Sequence, residues 1–194
     1  LLIIPFLSFG QSWEKILNIE TVSEVSASWD IGYSIEQSSD GGYIIGGVCN
    51  SLNPMILKID SNGSLEWYKR FSNSSYTPKA LSQATDDGHH ITLITEYDNT
   101  YLYKTNNAGD SLWKKLIFNT WTESGGVFAK NTDGGAVVGL TDNYCFEAGC
   151  YMDSLVKIDG AGNIVWEQAY ISPGEGQIKI EYILKCENEK YIIL

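Results

Sequence analysis

Short runs of aliphatic, β-branched and aromatic residues alternate along this chain with turn pairs such as Asp40-Gly41 and Asn62-Gly63. Residues of these types favour strands, and Asp-Gly and Asn-Gly pairs supply the positive φ angles that tight hairpins require. No stretch shows a sustained helical period. The first complete set of runs predicts four antiparallel strands, A to D, at about 33–38, 43–48, 55–60 and 65–71.

The same pattern recurs along the chain and is marked by two landmarks. The first is K-x-[DN]-x-x-G-x-x-x-W, which occurs without a gap at 58–67, 104–113 and 157–166. The second is a turn that precedes strand B, and its equivalent positions are Asp40, Asp87, Asp133 and Asn188. Both landmarks recur every 46 to 55 residues. Two independent landmarks with one period indicate internal repeats.

A four-stranded antiparallel meander that repeats at this period is typical of a β-propeller blade. One such sheet cannot bury both of its faces, so neighbouring blades must stack. We therefore predict an all-β fold over residues 11–194, a β-propeller fragment of about three and a half four-stranded blades. The predicted units are 28–73, 77–118, 124–172 and 178–194, and the chain ends within strand B of the last one.

Three tryptophans, Trp67, Trp113 and Trp166, recur at one register in strand D. They could serve as ligand platforms or as packing residues. A large amphipathic ring beside a turn can fill the gap between neighbouring blades and donate its N–H to a backbone carbonyl. Because the three share one register, we predict that they pack between blades. The earlier Trp13 begins a segment of the same type.

The D-x-x-G-x-x-x-W core at 60–67 and 159–166 resembles the tryptophan-docking repeat of quinoprotein-type (PQQ-like) propellers. The fuller pattern, D-G-G-Y-I-I-x-G followed by L-K-x-D-x-x-G-x-x-x-W, is similar to secreted repeat proteins of Bacteroidetes-type bacteria. Such proteins often carry a C-terminal sorting domain for type IX secretion. The resemblance covers about residues 28–194 and implies architecture and export.

The second unit departs most from this family pattern. Asn106 replaces the Asp of the core motif, and His89 and His90 replace Gly and Tyr after the turn. The PQQ-binding and Ca²⁺-binding residues of quinoprotein dehydrogenases are not supplied by these repeats, and no two cysteines are adjacent. The resemblance therefore implies no cofactor.

The first ten residues, 1–10, are apolar but too few to span a bilayer, which takes about 20. Small residues at Ser8 and Gly10 fit a signal-peptidase site, so we read 1–10 as the tail of a secretory signal peptide with the mature chain beginning near Gln11. A first buried strand is the alternative. No other segment is long and apolar enough to cross a membrane. We expect a secreted or cell-surface protein.

The formal net charge of −11 restricts the partners. Nucleic-acid binding needs a cationic footprint, and an anionic membrane surface would repel this chain. We therefore predict no nucleic-acid partner and no binding to an anionic membrane surface, and the lack of an apolar segment long enough to span a bilayer predicts no transmembrane segment. A cationic ligand, a divalent cation or a polar glycan is compatible with the charge, as is a surface that is acidic only for solubility.

In a meander the B–C and D–A connections lie on the face opposite the tight turns. The third unit has the longest B–C segment, with 22 residues from Gly135 to Lys157 against 16 and 15 in the first two units. This insertion contains Cys145 and Cys150, and export would allow a disulfide between them. Two free thiols, or partners outside this chain, stay open, and the other cysteines are Cys49 and Cys186. Loops on a rigid scaffold often carry function, so we expect a protein or glycan ligand on this face.

No catalytic, cofactor-binding or metal-binding residue is predicted. His89 and His90 are adjacent on a strand, so their side chains point to opposite faces and do not form a metal pair. Asp60, Asn62 and Asp159 lack the EF-hand pattern, and such residues at turns bond to their own backbone. The chain has no G-x-S-x-G nucleophile motif, and its glycine turns join strands rather than lead into a helix that could bind phosphate.

Three functional hypotheses follow. The first is a non-catalytic exported propeller for adhesion or for binding a protein or glycan. The second is part of a secreted enzyme, a quinoprotein-like oxidoreductase or a polysaccharide-active hydrolase, whose active site lies outside this chain. The third is a scaffold within a larger surface assembly.

Overall fold

The described part of the chain consists almost entirely of antiparallel strands. The computed structural model describes residues 30–49, 53–71, 79–96, 99–119, 126–145, 150–172 and 180–194. The strands are β1 (Ile31–Gln37), β2 (Tyr43–Cys49), β3 (Asn53–Ile59), β4 (Leu65–Arg70), β5 (Lys79–Ala84), β6 (His90–Glu96), β7 (Asn99–Thr105), β8 (Ser111–Asn119), β9 (Val127–Lys130), β10 (Ala136–Cys145), β11 (Cys150–Ile158), β12 (Ile164–Ser172), β13 (Ile183–Lys185) and β14 (Tyr191–Ile193). A single 3₁₀ turn, Glu187–Glu189, lies between the last two.

The strands form three four-stranded sheets and one two-stranded sheet. Their orders are β1-β2-β3-β4, β5-β6-β7-β8, β9-β10-β11-β12 and β13-β14, so every strand pairs with its neighbour in sequence. This is the predicted meander, and three sheets with a half sheet confirm the all-β propeller-fragment architecture. In the first unit, each strand begins and ends within two residues of its predicted position. Among the described residues, no helix is long and apolar enough to cross a bilayer.

In the first three units, the A–B and C–D turns each use one glycine with positive φ. The φ angle is +84° at Gly41 and +76° at Gly63, and the second and third units repeat this. The A–B turn of the fourth unit uses Asn188 instead, with φ +57°. In the first turn the Gly41 N–H donates to the Ser38 carbonyl at 3.0 Å, and the Ser38 N–H donates to the Gly42 carbonyl at 2.8 Å. This is the bonding of a three-residue hairpin that ends in a left-handed residue. The positive φ predicted for these turn pairs is confirmed at their glycines, and Asp40 accepts the Gly42 N–H at 2.9 Å.

The hydrophobic core lies between the sheets, as the stacking argument requires. Residues from the first two units form one cluster: Ile44, Ile56, Ala80, Ala84, Ile94 and Tyr103. The second and third units share another: Ile91, Leu93, Leu102, Phe128, Ala136, Val138, Leu140, Val156 and Ile158. The third and fourth share a smaller one: Ala129, Val137, Leu155, Ile180 and Ile183. Full burial of one such aliphatic side chain contributes about 1.5–3 kcal/mol, so each sheet is stabilised by its neighbour.

The insertion of the third unit lengthens a hairpin as well as a loop. Strand β10 continues to Cys145 and β11 begins at Cys150, and the backbone register places these two residues opposite each other. Opposed residues of antiparallel strands have Cα atoms about 4.5–5.5 Å apart, which is within the range that a disulfide needs. The Cys145–Cys150 disulfide stays a prediction, because the side chains lie outside the described part.

Several expectations concern residues that the structure does not describe. They are the signal-peptide segment 1–10, Trp13 and most of the long-loop face, including 146–149.

Candidate functional site

The first strands of all four units converge on one groove of about 550 Å³. Strands β1 and β5 form most of its wall, with β9 and the start of the fourth unit completing it. The polar and aromatic residues that line it are Tyr33, Ser34, Glu36, Ser82, Gln83 and Tyr182. Small-molecule sites are typically clefts of about 300–1,000 Å³ with a few placed polar groups. The size and lining therefore make this groove the candidate binding site.

Two side chains at equivalent positions bridge successive first strands. Glu36 lies four residues before Asp40, and Gln83 lies four residues before Asp87. Glu36 Oε2 accepts the backbone N–H of Ala84 at 3.1 Å. In the same way, Gln83 Oε1 accepts the backbone N–H of Lys130 at 3.0 Å. Each side chain satisfies a backbone donor on the exposed edge of the next unit, which both joins the units and protects that edge.

An ion pair crosses the groove region from the first unit to the third. Lys130 Nζ lies 2.7 Å from Glu36 Oε1 and donates to the Ala84 carbonyl at 2.8 Å. Asp86 Oδ1 lies 3.8 Å from the same ammonium. Both oxygens of Glu36 are therefore engaged, one by a cation and one by a backbone N–H. The carboxylate is therefore compensated in place.

Two exposed tyrosines, one from the first unit and one from the fourth, line the groove. Tyr33 on β1 is 44% exposed and Tyr182, just before β13, is 58% exposed. Ser34 Oγ accepts the Ser82 N–H at 2.7 Å, which orients the Ser34 hydroxyl. Tyrosine rings offer an apolar face and a polar edge. The arrangement can hold a ligand that combines an apolar face with hydrogen-bonding groups.

The predicted packing role of the tryptophans is confirmed for two of the three. Trp67 Nε1 donates to the Asn107 carbonyl at 2.8 Å, and Trp113 Nε1 donates to the Gly160 carbonyl at 3.0 Å. Each acceptor lies in the C–D turn of the next unit. Trp166 differs, since it is 40% exposed and has no corresponding C–D turn beside it in the described part of the chain. For Trp166 the packing role stays a prediction.

The turn carboxylates behave as the sequence predicts. Asp60 Oδ1 accepts the N–H groups of Asn62 at 2.8 Å and Ser64 at 2.7 Å. Asp159 Oδ1 accepts the Asn163 N–H at 2.8 Å, and hydrogen bonds from Asn163 lower the pKa of Asp159. Within the described ranges, no cluster of three or more His, Cys, Asp or Glu side chains could hold a metal ion.

The two histidines engage different partners and do not converge. His89 Nδ1 lies 3.1 Å from Asp87 Oδ2. His90 is buried, and its Nε2 lies 3.0 Å from Ser38 Oγ. A serine and a histidine at this distance are two parts of a hydrolytic triad. However, Ser38 is buried as well, and no carboxylate hydrogen-bonds to His90 in the described residues, so the pair is structural.

The sequence landmarks are themselves joined by buried ion pairs, which the sequence reasoning missed. Lys58 is fully buried, and its Nζ lies 2.8 Å from both Asp40 Oδ2 and Glu66 Oε2. Lys104 lies 2.7 Å from Asp87 at the equivalent position. Burial alone would raise the pKa of Asp40, but hydrogen bonds from Lys58, the Gly42 N–H and the Asn107 side chain lower it to about 2. The repeated Lys and Asp were the signal for this pairing.

The groove was also missed, since the sequence reasoning placed the ligand on the long-loop face. Most of that face lies outside the described residues, so the expectation stays untested. The available signal was the polar pair Glu36 and Gln83 at one register of strand A.

No protein-family model matches this chain, and a comparison with curated proteins finds no match. The likeness to quinoprotein-type and Bacteroidetes-type repeats therefore remains a resemblance. The repeated four-stranded sheets support the propeller-like repeat itself.

Proposed function

We propose that this protein is an exported, non-catalytic propeller domain that binds a protein or glycan ligand. The observation that carries the proposal is the groove formed by the first strands of four units. Its aromatic and hydrogen-bonding lining supports binding, and its carboxylate, Glu36, is held by Lys130 and a backbone N–H. Export is part of the proposal and is supported by the apolar segment 1–10.

A rigid wall makes this groove suited to recognition. Its polar side chains are fixed by hydrogen bonds between units, as Ser34 is by Ser82 and Gln83 by Lys130. Groups that are oriented before binding lose less conformational entropy when a ligand arrives. The repeat scaffold therefore supplies a preorganised surface on which the exposed tyrosines can act.

A binding screen with matched tyrosine variants tests this proposal. The chain is applied to a glycan array and to an array of extracellular proteins, together with Tyr33→Ala and Tyr68→Ala. Tyr68 is a suitable control because it is 50% exposed on β4 and does not line the groove. We expect a ligand whose binding Tyr33→Ala weakens and Tyr68→Ala leaves unchanged. Chemical turnover of the bound ligand, or equal effects of the two variants, would contradict the proposal.

A further inference from the structure

The one charged side chain that lines the groove in the described residues is paired without a ligand. Among the described lining residues, Glu36 carries the only charge, and Lys130 neutralises it at 2.7 Å. Asp86 lies 3.8 Å from the same ammonium, so no cation is left over for an anionic ligand. A cationic ligand would have to compete with Lys130 for Glu36. Since burying an unpaired charge is costly, this balance favours an uncharged ligand.

Two lining side chains, Ser34 and Gln83, have hydrogen-bond donors that are available to a ligand. Ser34 Oγ accepts the Ser82 N–H, so its own hydroxyl hydrogen can point elsewhere. Gln83 uses its carbonyl oxygen to accept the Lys130 N–H, and its amide nitrogen donates to no other group in the described residues. Both are anchored through their acceptor atoms and offer donors at defined positions. Hydroxyl oxygens of a ligand would satisfy them.

The apolar part of the lining includes two exposed aromatic rings. Tyr33 and Tyr182 come from the first and fourth units, and Ile35 and Leu81 also line the groove. An uncharged ligand that buries a flat apolar face on a tyrosine and still offers many hydroxyl groups is a sugar ring. The groove of about 550 Å³ is large enough for a ligand bigger than a single small metabolite.

We infer that this groove binds a neutral oligosaccharide, with Tyr33 and Tyr182 as stacking surfaces and Ser34 and Gln83 as hydrogen-bond donors. The inference rests on the proposed binding function and adds the ligand class and the contact residues to it.

Isothermal titration calorimetry on the full chain tests the ligand class. Neutral probes are maltotetraose, cellotetraose, mannotetraose and methyl-esterified tetragalacturonate, and anionic probes are free tetragalacturonate and a heparin tetrasaccharide. The esterified and the free tetragalacturonate have the same saccharide backbone and differ in charge. We expect at least one neutral probe to bind, and any anionic counterpart to bind about tenfold more weakly because its charge is uncompensated.

Two variants test the contact residues. Tyr33→Ala should weaken binding of the neutral probe about tenfold, as loss of an aromatic contact at a binding site commonly does. Gln83→Glu keeps the acceptor for the Lys130 N–H, as Glu36 does in the first unit, but removes the amide donor. It should weaken neutral-sugar binding while thermal unfolding stays unchanged. Tyr68→Ala is the control.

The outcomes separate this inference from the broader function. Tighter binding of an anionic than of a neutral probe, or neutral binding that is insensitive to Tyr33→Ala and Gln83→Glu, would overturn the inference. Binding of a protein ligand with no saccharide bound would overturn it too, while the proposed binding function would stand. Catalytic turnover of a bound saccharide would overturn the proposed function but leave the ligand class intact.

Discussion

His90 is a buried neutral base at the junction of the first two units. Its Nε2 contacts Ser38 Oγ at 3.0 Å, and its ring lies 6.0 Å from the ring of Trp67. Burial, together with the positive charge of Lys58, lowers the pKa of His90 to about 4. An ordinary histidine has a pKa of 6.5 and takes up a proton near that pH. In the folded chain, the His90 imidazole is still uncharged there.

The free energy of unfolding should therefore fall as pH falls from about 6.5 to about 4. In that window the unfolded chain binds a proton at His90 that the folded chain does not, so acid favours unfolding by up to about 3 kcal/mol. Urea unfolding at several pH values in this window measures the slope, and His90→Gln should remove most of it. His89→Gln is the control and should keep it. An undiminished slope in His90→Gln would assign the effect to other groups.

The titration of the Asp40 carboxyl does not overlap with the pH range of this measurement. Its pKa is about 2 in the folded chain and 3.8 ordinarily, so the stability that it contributes is present above pH 3.8. That contribution is lost only as the pH falls toward 2. The carboxylate and histidine effects therefore occupy separate pH ranges.

At the scale of the elements, the units are joined by an indole that lies over a glycine. A Cβ on Gly109 would lie 2.8 Å from Cδ2 of Trp67, and one on Gly162 would lie 3.1 Å from Cδ2 of Trp113. Both glycines have φ near +85°. Glycine is therefore required for two reasons at once, the left-handed backbone and the contact with the ring.

Gly109→Ala should destabilise the fold more than Gly41→Ala. The two glycines have nearly equal φ angles, +85° and +84°, but a Cβ at Gly41 meets no atom within 4 Å. Each variant carries the left-handed backbone cost of about 1–3 kcal/mol, and Gly109→Ala adds about 1–3 kcal/mol for overpacking against Trp67. Urea unfolding measures both. In the background of Trp67→Ala the difference should disappear, and equal destabilisation with Trp67 present would contradict the docking account.

The strands and turns were predictable because their signals are local. Strand alternation and the turn glycines act within a hairpin, and one period repeats them, so the first sheet could be placed within two residues. The pairing of Lys58 with Asp40 joins two such signals 18 residues apart, and their common recurrence could have indicated it.

At the scale of the whole molecule, the groove depends on how the sheets stack. Glu36 and Lys130 are 94 residues apart in sequence, and their contact requires the second unit to bring the first and third together. No local sequence pattern predicts that Glu36 and Lys130 come together, because each of them is only a charged residue near a turn. The equivalence of Glu36 and Gln83 could be read from the repeat, but their use as bridges between units required the stacked sheets.

Lys130→Met should change the charge preference of the groove. Without the ammonium, Glu36 and Asp86 are left uncompensated, so a cationic saccharide gains a partner. The affinity of a deacetylated chitosan tetramer relative to its neutral N-acetylated form should rise by up to about fivefold, since partly exposed charge pairs contribute up to about 1 kcal/mol. Calorimetry at low salt measures this ratio, and Lys130→Arg, which keeps the charge, should leave it near the wild-type value. An unchanged ratio in Lys130→Met would mean that Lys130 does not set the charge balance at the groove.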